Sequence, residues 1–141
     1  MTTTAVTFAA VAATLQAAHQ LGDHIAQTDK DAANKAAPGR HGWRHILTHV
    51  ATYHLTVLVM LYATTTLLHL PVTALGVITG VGFSAATHAF IDRRWPVRWL
   101  LNHTGSAAFA DRQTPICGMY LADQSLHYAC LWASALLIAC L

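Results

Sequence analysis

Charged residues are scarce in this chain, and glutamate is missing from it. Asp, Glu, Lys and Arg make up 10% of its 141 residues, and all six acidic residues are aspartates. A soluble domain usually carries about a quarter charged residues. Because 55% of the residues are hydrophobic, the composition excludes an ordinary soluble domain and indicates an integral membrane protein. Its partner is then the lipid bilayer, and we predict no nucleic-acid partner.

Cysteine is scarce as well. The three cysteines, Cys117, Cys130 and Cys140, form no C-x-x-C pair. Two of them lie in or at the end of an apolar run. This spacing gives no disulfide framework and no thiolate metal site.

Three long runs contain no Asp, Glu, Lys or Arg, namely 1–22, 45–91 and 124–141. About 20 apolar residues are enough to cross a bilayer as a helix. The middle run is long enough for two helices, and Pro71 would end the first because it lacks a backbone N–H. Gly42 argues against an earlier start for the second span. We therefore predict an all-α, four-helix transmembrane bundle forming a single domain over 1–141, with spans at about 4–24, 44–69, 72–92 and 119–141.

The basic residues predict how these spans are oriented. All eight Lys and Arg lie either around the start of span two or between spans three and four. Four spans put both segments on one side of the membrane, and the positive-inside rule makes that side cytoplasmic. Both termini are then extracytoplasmic. Trp95 and Trp99, beside Arg94 and Arg98, predict a short interfacial helix between spans three and four.

Histidine and aspartate pair at a spacing of four residues, once in each predicted span. Residues i and i+4 share one face of a helix. The pairs are His19–Asp23, His45–His49, His88–Asp92 and Asp123–His127. The predicted topology brings all four pairs to the cytoplasmic end, with a histidine as the deeper member of every pair. The other members form a layer one turn closer to the cytoplasm.

Side chains projecting inward from several helices are how bundles build metal sites. Imidazole together with carboxylate suits Zn, Mn or Fe. Eight ligands exceed the need of one ion, so we predict divalent metal ions, two of them, held by all eight residues. Two alternatives stay open. The pairs are interfacial polar residues without a metal, or they form a His/Asp proton relay.

A dinuclear site of this kind predicts a hydrolase acting on a phosphate or acyl ester, including a lipid. One aspartate could serve as a general base instead of a ligand. The candidates for this catalytic role are Asp23, Asp92 and Asp123. Basic side chains at the mouth could bind a phosphate or an anionic head group. These are Arg44, Arg93 and Arg94. The alternative is that these arginines act only as topology determinants.

The order of the motifs AHQLGDHIAQTD, NK, HVATYH, HAFIDRR and DQSLH resembles that of the DUF3307 family of small bacterial and phage inner-membrane proteins. The resemblance covers most of 16–127 and implies a multi-pass protein of the bacterial inner membrane. The matching motif positions are His19, Asp23, Gln27, His49, His88, Asp92, Asp123, Gln124 and His127. It implies no established activity. A loosely similar group is described as predicted metal-dependent hydrolases.

Other functions stay open beside the hydrolase. One is a membrane di-iron oxidoreductase, although the dense H-x-x-H-H boxes expected there are absent. Another is a metal transporter or a non-enzymatic phage or bacterial membrane factor. A transport path needs polar groups through the whole bilayer, and the outer halves of the spans carry no acids. Small residues over 76–86 permit close helix approach, within the chain or in a homo-oligomer.

Overall fold

Seven α-helices form the computed structural model, which describes residues 2–141, and this part of the chain contains no strand. The all-α prediction is therefore confirmed. The helices are α1 (Thr3–His24), α2 (Asp29–Asn34), α3 (Gly39–Leu67), α4 (Ala74–Ile91), α5 (Trp95–His103), α6 (Ala107–Asp111) and α7 (Gly118–Cys140).

Among the four long helices, α1 packs against α3 and α7, and α4 packs mainly against α7 with a smaller contact to α3. Their shared core is apolar in its middle and toward the end distant from the histidines. Its fully buried members come from α1, α3 and α7, and α4 adds partly buried valines. They include Val11, Leu15, Tyr53, Val57, Leu131 and Ala135, with Val77 and Val81 from α4.

Each of the four predicted spans coincides with one long helix. Two helices, α3 and α4, are long and apolar enough to cross a membrane on length and composition. The turn between them occupies 68–73. Leu67 ends α3 four residues before Pro71, and the Thr73 hydroxyl accepts a hydrogen bond of 2.9 Å from the Gly76 N–H to cap α4. A threonine at this position satisfies one of the free N–H groups at a helix start.

The start of α3 differs from the prediction. The helix begins at Gly39, five residues before the predicted boundary, and Gly42 lies inside it. A Cβ atom at position 42 would lie 1.8 Å from the Ala37 carbonyl oxygen and 2.6 Å from an Arg93 Nη atom. Gly42 is therefore a point of close approach between α3 and the preceding loop, rather than a boundary.

A helix also forms at the predicted interfacial position. It is α5, and Trp95 and Trp99 on it are 59% and 56% exposed. The short α6 follows, which the sequence did not predict. An ion pair of 2.8 Å between Arg98 and Asp111 joins the two helices.

Candidate metal centre

The predicted histidine and aspartate pairs meet at one end of the long helices. The end of α1 and the end of α4 lie beside the first turns of α7 and the N-terminal half of α3. Consecutive long helices therefore run in opposite directions. Seven of the eight predicted ligands lie in this cluster: His19, Asp23, His49, His88, Asp92, Asp123 and His127.

In four of them, both histidine Nε2 atoms lie close to both carboxylates, and we call these four residues the inner tetrad. They are Asp23, His49, His88 and Asp92. The His49 Nε2 atom lies 2.9 Å from His88 Nε2, 3.1 Å from Asp23 Oδ1 and 3.2 Å from Asp92 Oδ2. The His88 Nε2 atom lies 3.4 Å from Asp23 Oδ1 and 3.3 Å from Asp92 Oδ2. Their side chains are no more than 6% exposed.

These separations suit a metal ion. A tetrahedral ion with ligand bonds of 2.0–2.1 Å holds its ligand atoms about 3.3 Å apart. Five of the six distances within the tetrad, the N–N and the four N–O distances, are 2.9–3.4 Å and lie around that value. Both histidines present Nε2 to the same point, where two lone pairs would repel each other without a proton or a cation between them. The donor set therefore fits a divalent ion such as Zn, Mn or Fe.

His127 lies beside the tetrad with one ring nitrogen unpartnered. Its Nδ1 atom bonds the Asp123 carbonyl oxygen at 2.9 Å. Its buried Nε2 atom has no hydrogen-bond partner among the described residues and lies 3.9 Å from Asp92 Oδ1. A ring held through Nδ1 by a carbonyl, with Nε2 turned to the site, is a common arrangement for a metal-binding histidine. Together with Asp92 and Asp123, His127 forms a further group able to hold an ion.

His19 differs from the other deep histidines. Its Nδ1 lies 3.1 Å from the Tyr53 hydroxyl, and its Nε2 lies 3.1 Å from Gln124 Oε1. The ring belongs to a group with Asp23 and His88 that could hold an ion. Because both nitrogens already have protein partners, we assign His19 to positioning the cluster rather than to ligation.

His45 lies apart from the cluster, which corrects its predicted place as the eighth ligand. Its Nδ1 atom lies 2.7 Å from Asp31 Oδ1 in α2, and the Thr28 hydroxyl donates to the other oxygen of Asp31 at 2.7 Å. The hydrogen bond with His45 holds the pKa of the Asp31 carboxyl below its ordinary value. The first turns of α3 pack on α2, so His45 faces that helix. The spacing of four residues could not identify Asp31, because its partner His45 lies 14 residues further along the chain.

Lys35 is a site residue that the spacing argument missed. Its Nζ atom lies 2.8 Å from Asp92 Oδ2, and the residue is only 8% exposed. The adjacent Arg93 donates to the carbonyl oxygens of Lys35 and Ala37, at 2.9 and 2.8 Å. Lys35 and Asp92 are 57 residues apart in the chain. In the sequence, Lys35 was marked only by the NK motif of the family resemblance, which predicts no role for it.

A cavity of about 530 Å³ opens from the cluster to the surface. Its wall includes acids of the cluster, cations and apolar or aromatic side chains. Among them are Asp92, Asp123, Lys35, Arg94, Trp95 and Tyr120.

The three arginines predicted to bind substrate lie in three different places. Arg94 lines this cavity. The Arg93 guanidinium donates hydrogen bonds to the loop carbonyls and lies over the Trp43 ring, 5.3 Å from its centroid. Arg44 lines a separate cavity of about 440 Å³ that also contains Lys30 and His45.

One comparison with known proteins gives a match. The model of a family described as "Protein of unknown function (DUF3307)" matches residues 11–140, which is nearly the whole chain. No curated protein and no solved structure matches the chain.

Proposed function

The chain belongs to the DUF3307 family, whose function is unknown, and we propose that it is a membrane metalloenzyme that hydrolyses a phosphate or acyl ester. The observation that carries the proposal is the inner tetrad of two imidazoles and two carboxylates. Its five N–N and N–O distances of 2.9–3.4 Å suit one divalent ion. Two members of the tetrad, Asp23 and Asp92, line the 530 Å³ cavity.

The inner tetrad would hold the ion, with His127 as a further ligand at its edge. A bound divalent ion lowers the pKa of a water molecule and polarises a phosphoryl or acyl oxygen. The side chains of the protein would supply the other groups that hydrolysis needs, above all a general base. Asp23 and Asp92 lie within the tetrad, so Asp123 is the predicted catalytic aspartate best placed to act as a general base. Its carboxylate is 19% exposed and lines the cavity.

The cavity wall suits an anionic ester with an apolar portion. Lys35 and Arg94 contribute positive charge, and Arg94 is held with a left-handed φ of 62°. A non-glycine residue in this conformation is strained, and such strain is concentrated at functional sites. Trp95, Met119 and Tyr120 supply apolar and aromatic surface beside these cations. A lipid with a phosphate head group combines both features.

The setting we propose is a single domain that crosses the bacterial inner membrane four times, with the cluster at the cytoplasmic face and both termini outside. The apolar helices α3 and α4 support it. So does the outer surface, where large apolar side chains are exposed on all four long helices. Examples are Val6 43%, Leu55 63%, Val59 61%, Ile78 71% and Trp132 56%. A patch of this extent is unusual on a soluble monomer.

Metal analysis and hydrolysis assays test the proposal together. Protein purified without added metal should contain a divalent ion and hydrolyse phosphate or acyl esters, and EDTA should abolish that hydrolysis. The His88→Ala/Asp92→Ala variant should lose both the metal and the activity. The matched control is His103→Ala/Asp29→Ala, which removes one exposed histidine and one exposed aspartate outside the cluster. This control should keep the metal and the activity. A wild-type protein without metal would overturn the metal site, and a metal-loaded protein inert on both ester classes would overturn the hydrolase.

A further inference from the structure

We propose that Lys35 takes the place of a second cation in the metal centre, so that the centre binds one divalent ion instead of two. The inference rests on the proposed metal site. It replaces the expectation of two ions, which came from counting ligands without knowing where Lys35 lies.

Asp92 joins Lys35 to the inner tetrad through one oxygen atom. Asp92 Oδ2 lies 2.8 Å from Lys35 Nζ, and the same oxygen lies 3.2 Å from His49 Nε2 and 3.3 Å from His88 Nε2. In dinuclear centres two ions lie about 3.5–4 Å apart, and a shared carboxylate oxygen is one way to hold them so. Here one side of the shared oxygen faces the tetrad and the other side faces an ammonium group.

The charge of the cluster agrees with a single ion. Asp23, Asp92 and Asp123 contribute three negative charges, and Lys35 contributes one positive charge, which leaves a formal charge of −2. One divalent ion neutralises it. Two divalent ions would leave +2, and +1 with a bridging hydroxide. A surplus of charge in a buried site is costly because it is removed from water.

Lys35 is fastened at both its backbone and its side chain by neighbouring residues at the end of α4. Asp92 binds its ammonium group, and Arg93 donates to its carbonyl oxygen at 2.9 Å. Arg93 also donates to the Ala37 carbonyl two residues further on, at 2.8 Å. A buried lysine held in this way is a fixed part of the centre. The exposed Lys30, in α2, has no ion pair among the described residues.

Counting zinc ions per chain tests the inference. Wild-type protein loaded with Zn²⁺ in excess and then desalted should retain one equivalent by elemental analysis. Lys35→Met removes the ammonium group and should raise the count to two, because Asp92, Asp123 and His127 can then take an ion. Lys35→Gln is a second neutral variant with the same expectation. Lys35→Arg keeps the charge and should retain one equivalent, as should the matched control Lys30→Met.

The outcomes separate this inference from the function it rests on. Two equivalents in the wild type would overturn the role of Lys35 and leave the metal site intact. One equivalent in wild type, Lys35→Met and Lys35→Gln alike would also overturn it, since the charge would then not limit the count. No zinc in any of these proteins would overturn the proposed metal site itself.

Discussion

His19 and His127 are both buried at the same level of the cluster, but their ring nitrogens have different surroundings. His19 bonds Tyr53 through one nitrogen and Gln124 through the other. The Nε2 atom of His127 has no hydrogen-bond partner among residues 2–141. Identical side chains can therefore have separate roles within one cluster. We expect His19 to hold its neighbours in position, whereas the Nε2 atom of His127 is free to bind an ion.

Replacing Gln124 by leucine should test this division between the histidines. The change removes the acceptor of His19 Nε2 and leaves a buried polar atom unpaired, which costs about 1–3 kcal/mol. We expect a lower midpoint of thermal unfolding in detergent and an unchanged metal content. Gln113→Leu, at an exposed loop position, is the control and should change neither. If Gln124→Leu instead removed the metal at full stability, His19 would belong among the ligands.

At the scale of helices and loops, the first turns of α3 are built for close contact with the loop before them. The Ala37 carbonyl receives a hydrogen bond from Arg93 and passes over the backbone at Gly42. This contact helps to place the loop so that Lys35 lines the cavity. The position of Lys35 therefore depends on a glycine that the sequence alone suggested was a helix boundary.

Gly42→Ala should destabilise the protein. Its Cβ would lie 1.8 Å from the Ala37 carbonyl oxygen, so the loop or the helix must shift. Overpacking of this kind costs about 1–3 kcal/mol. The control is Gly82→Ala in α4, where a Cβ would meet nothing within 4 Å. An alanine there should be neutral or stabilising by about 0.5–1 kcal/mol. Thermal unfolding of both variants in the same detergent measures the difference, and equal midpoints would argue against close contact at Gly42.

Contacts within one helix could be predicted from the sequence, and contacts between loops and helices could not. The spacing of four residues predicted the His88–Asp92 and Asp123–His127 pairs, because a helix fixes which residues share a face. The loop that carries Lys35 has no such periodicity. Its path is set by hydrogen bonds to Arg93, more than 50 residues later in the chain. The first turns of α3 show the same limit, since packing on α2 turned His45 away from the cluster.

At the scale of the whole molecule, polar side chains are buried at one end of the long helices, while many large apolar side chains are exposed on the outer surface. In the cluster, the side chains of His19, His49 and His88 are only 0–2% exposed. On the outer surface, Leu55 and Ile78 are 63% and 71% exposed. Such an arrangement is favourable when the outer surface lies in lipid. It then places ionisable groups inside the helices, where such residues in membrane proteins are mostly found.

The proposed four-span topology predicts which segments are accessible from each side of the membrane. Single cysteines can replace Ala33, Thr104 and Leu68 in a variant without the native cysteines. All three positions are exposed. We expect a membrane-impermeant maleimide to label Leu68→Cys on the outer face of intact spheroplasts. Ala33→Cys and Thr104→Cys should react only after permeabilisation, because the basic loops stay in the cytoplasm. Labelling of either loop in intact spheroplasts would contradict this orientation.

The inner tetrad is drawn from residues 23–92, and none of its members comes from the last third of the chain. Within that last third, the stretch from Trp95 to Gln124 supplies seven of the thirteen residues that line the cavity. The four residues of the tetrad and most residues that line the opening thus come from different stretches of sequence. Substitutions at Trp95 or Arg98 in α5, or at Met119 and Tyr120 in α7, would change the lining of the cavity and leave the four residues of the tetrad unchanged. Within such a family, a shared tetrad would not by itself imply a shared substrate.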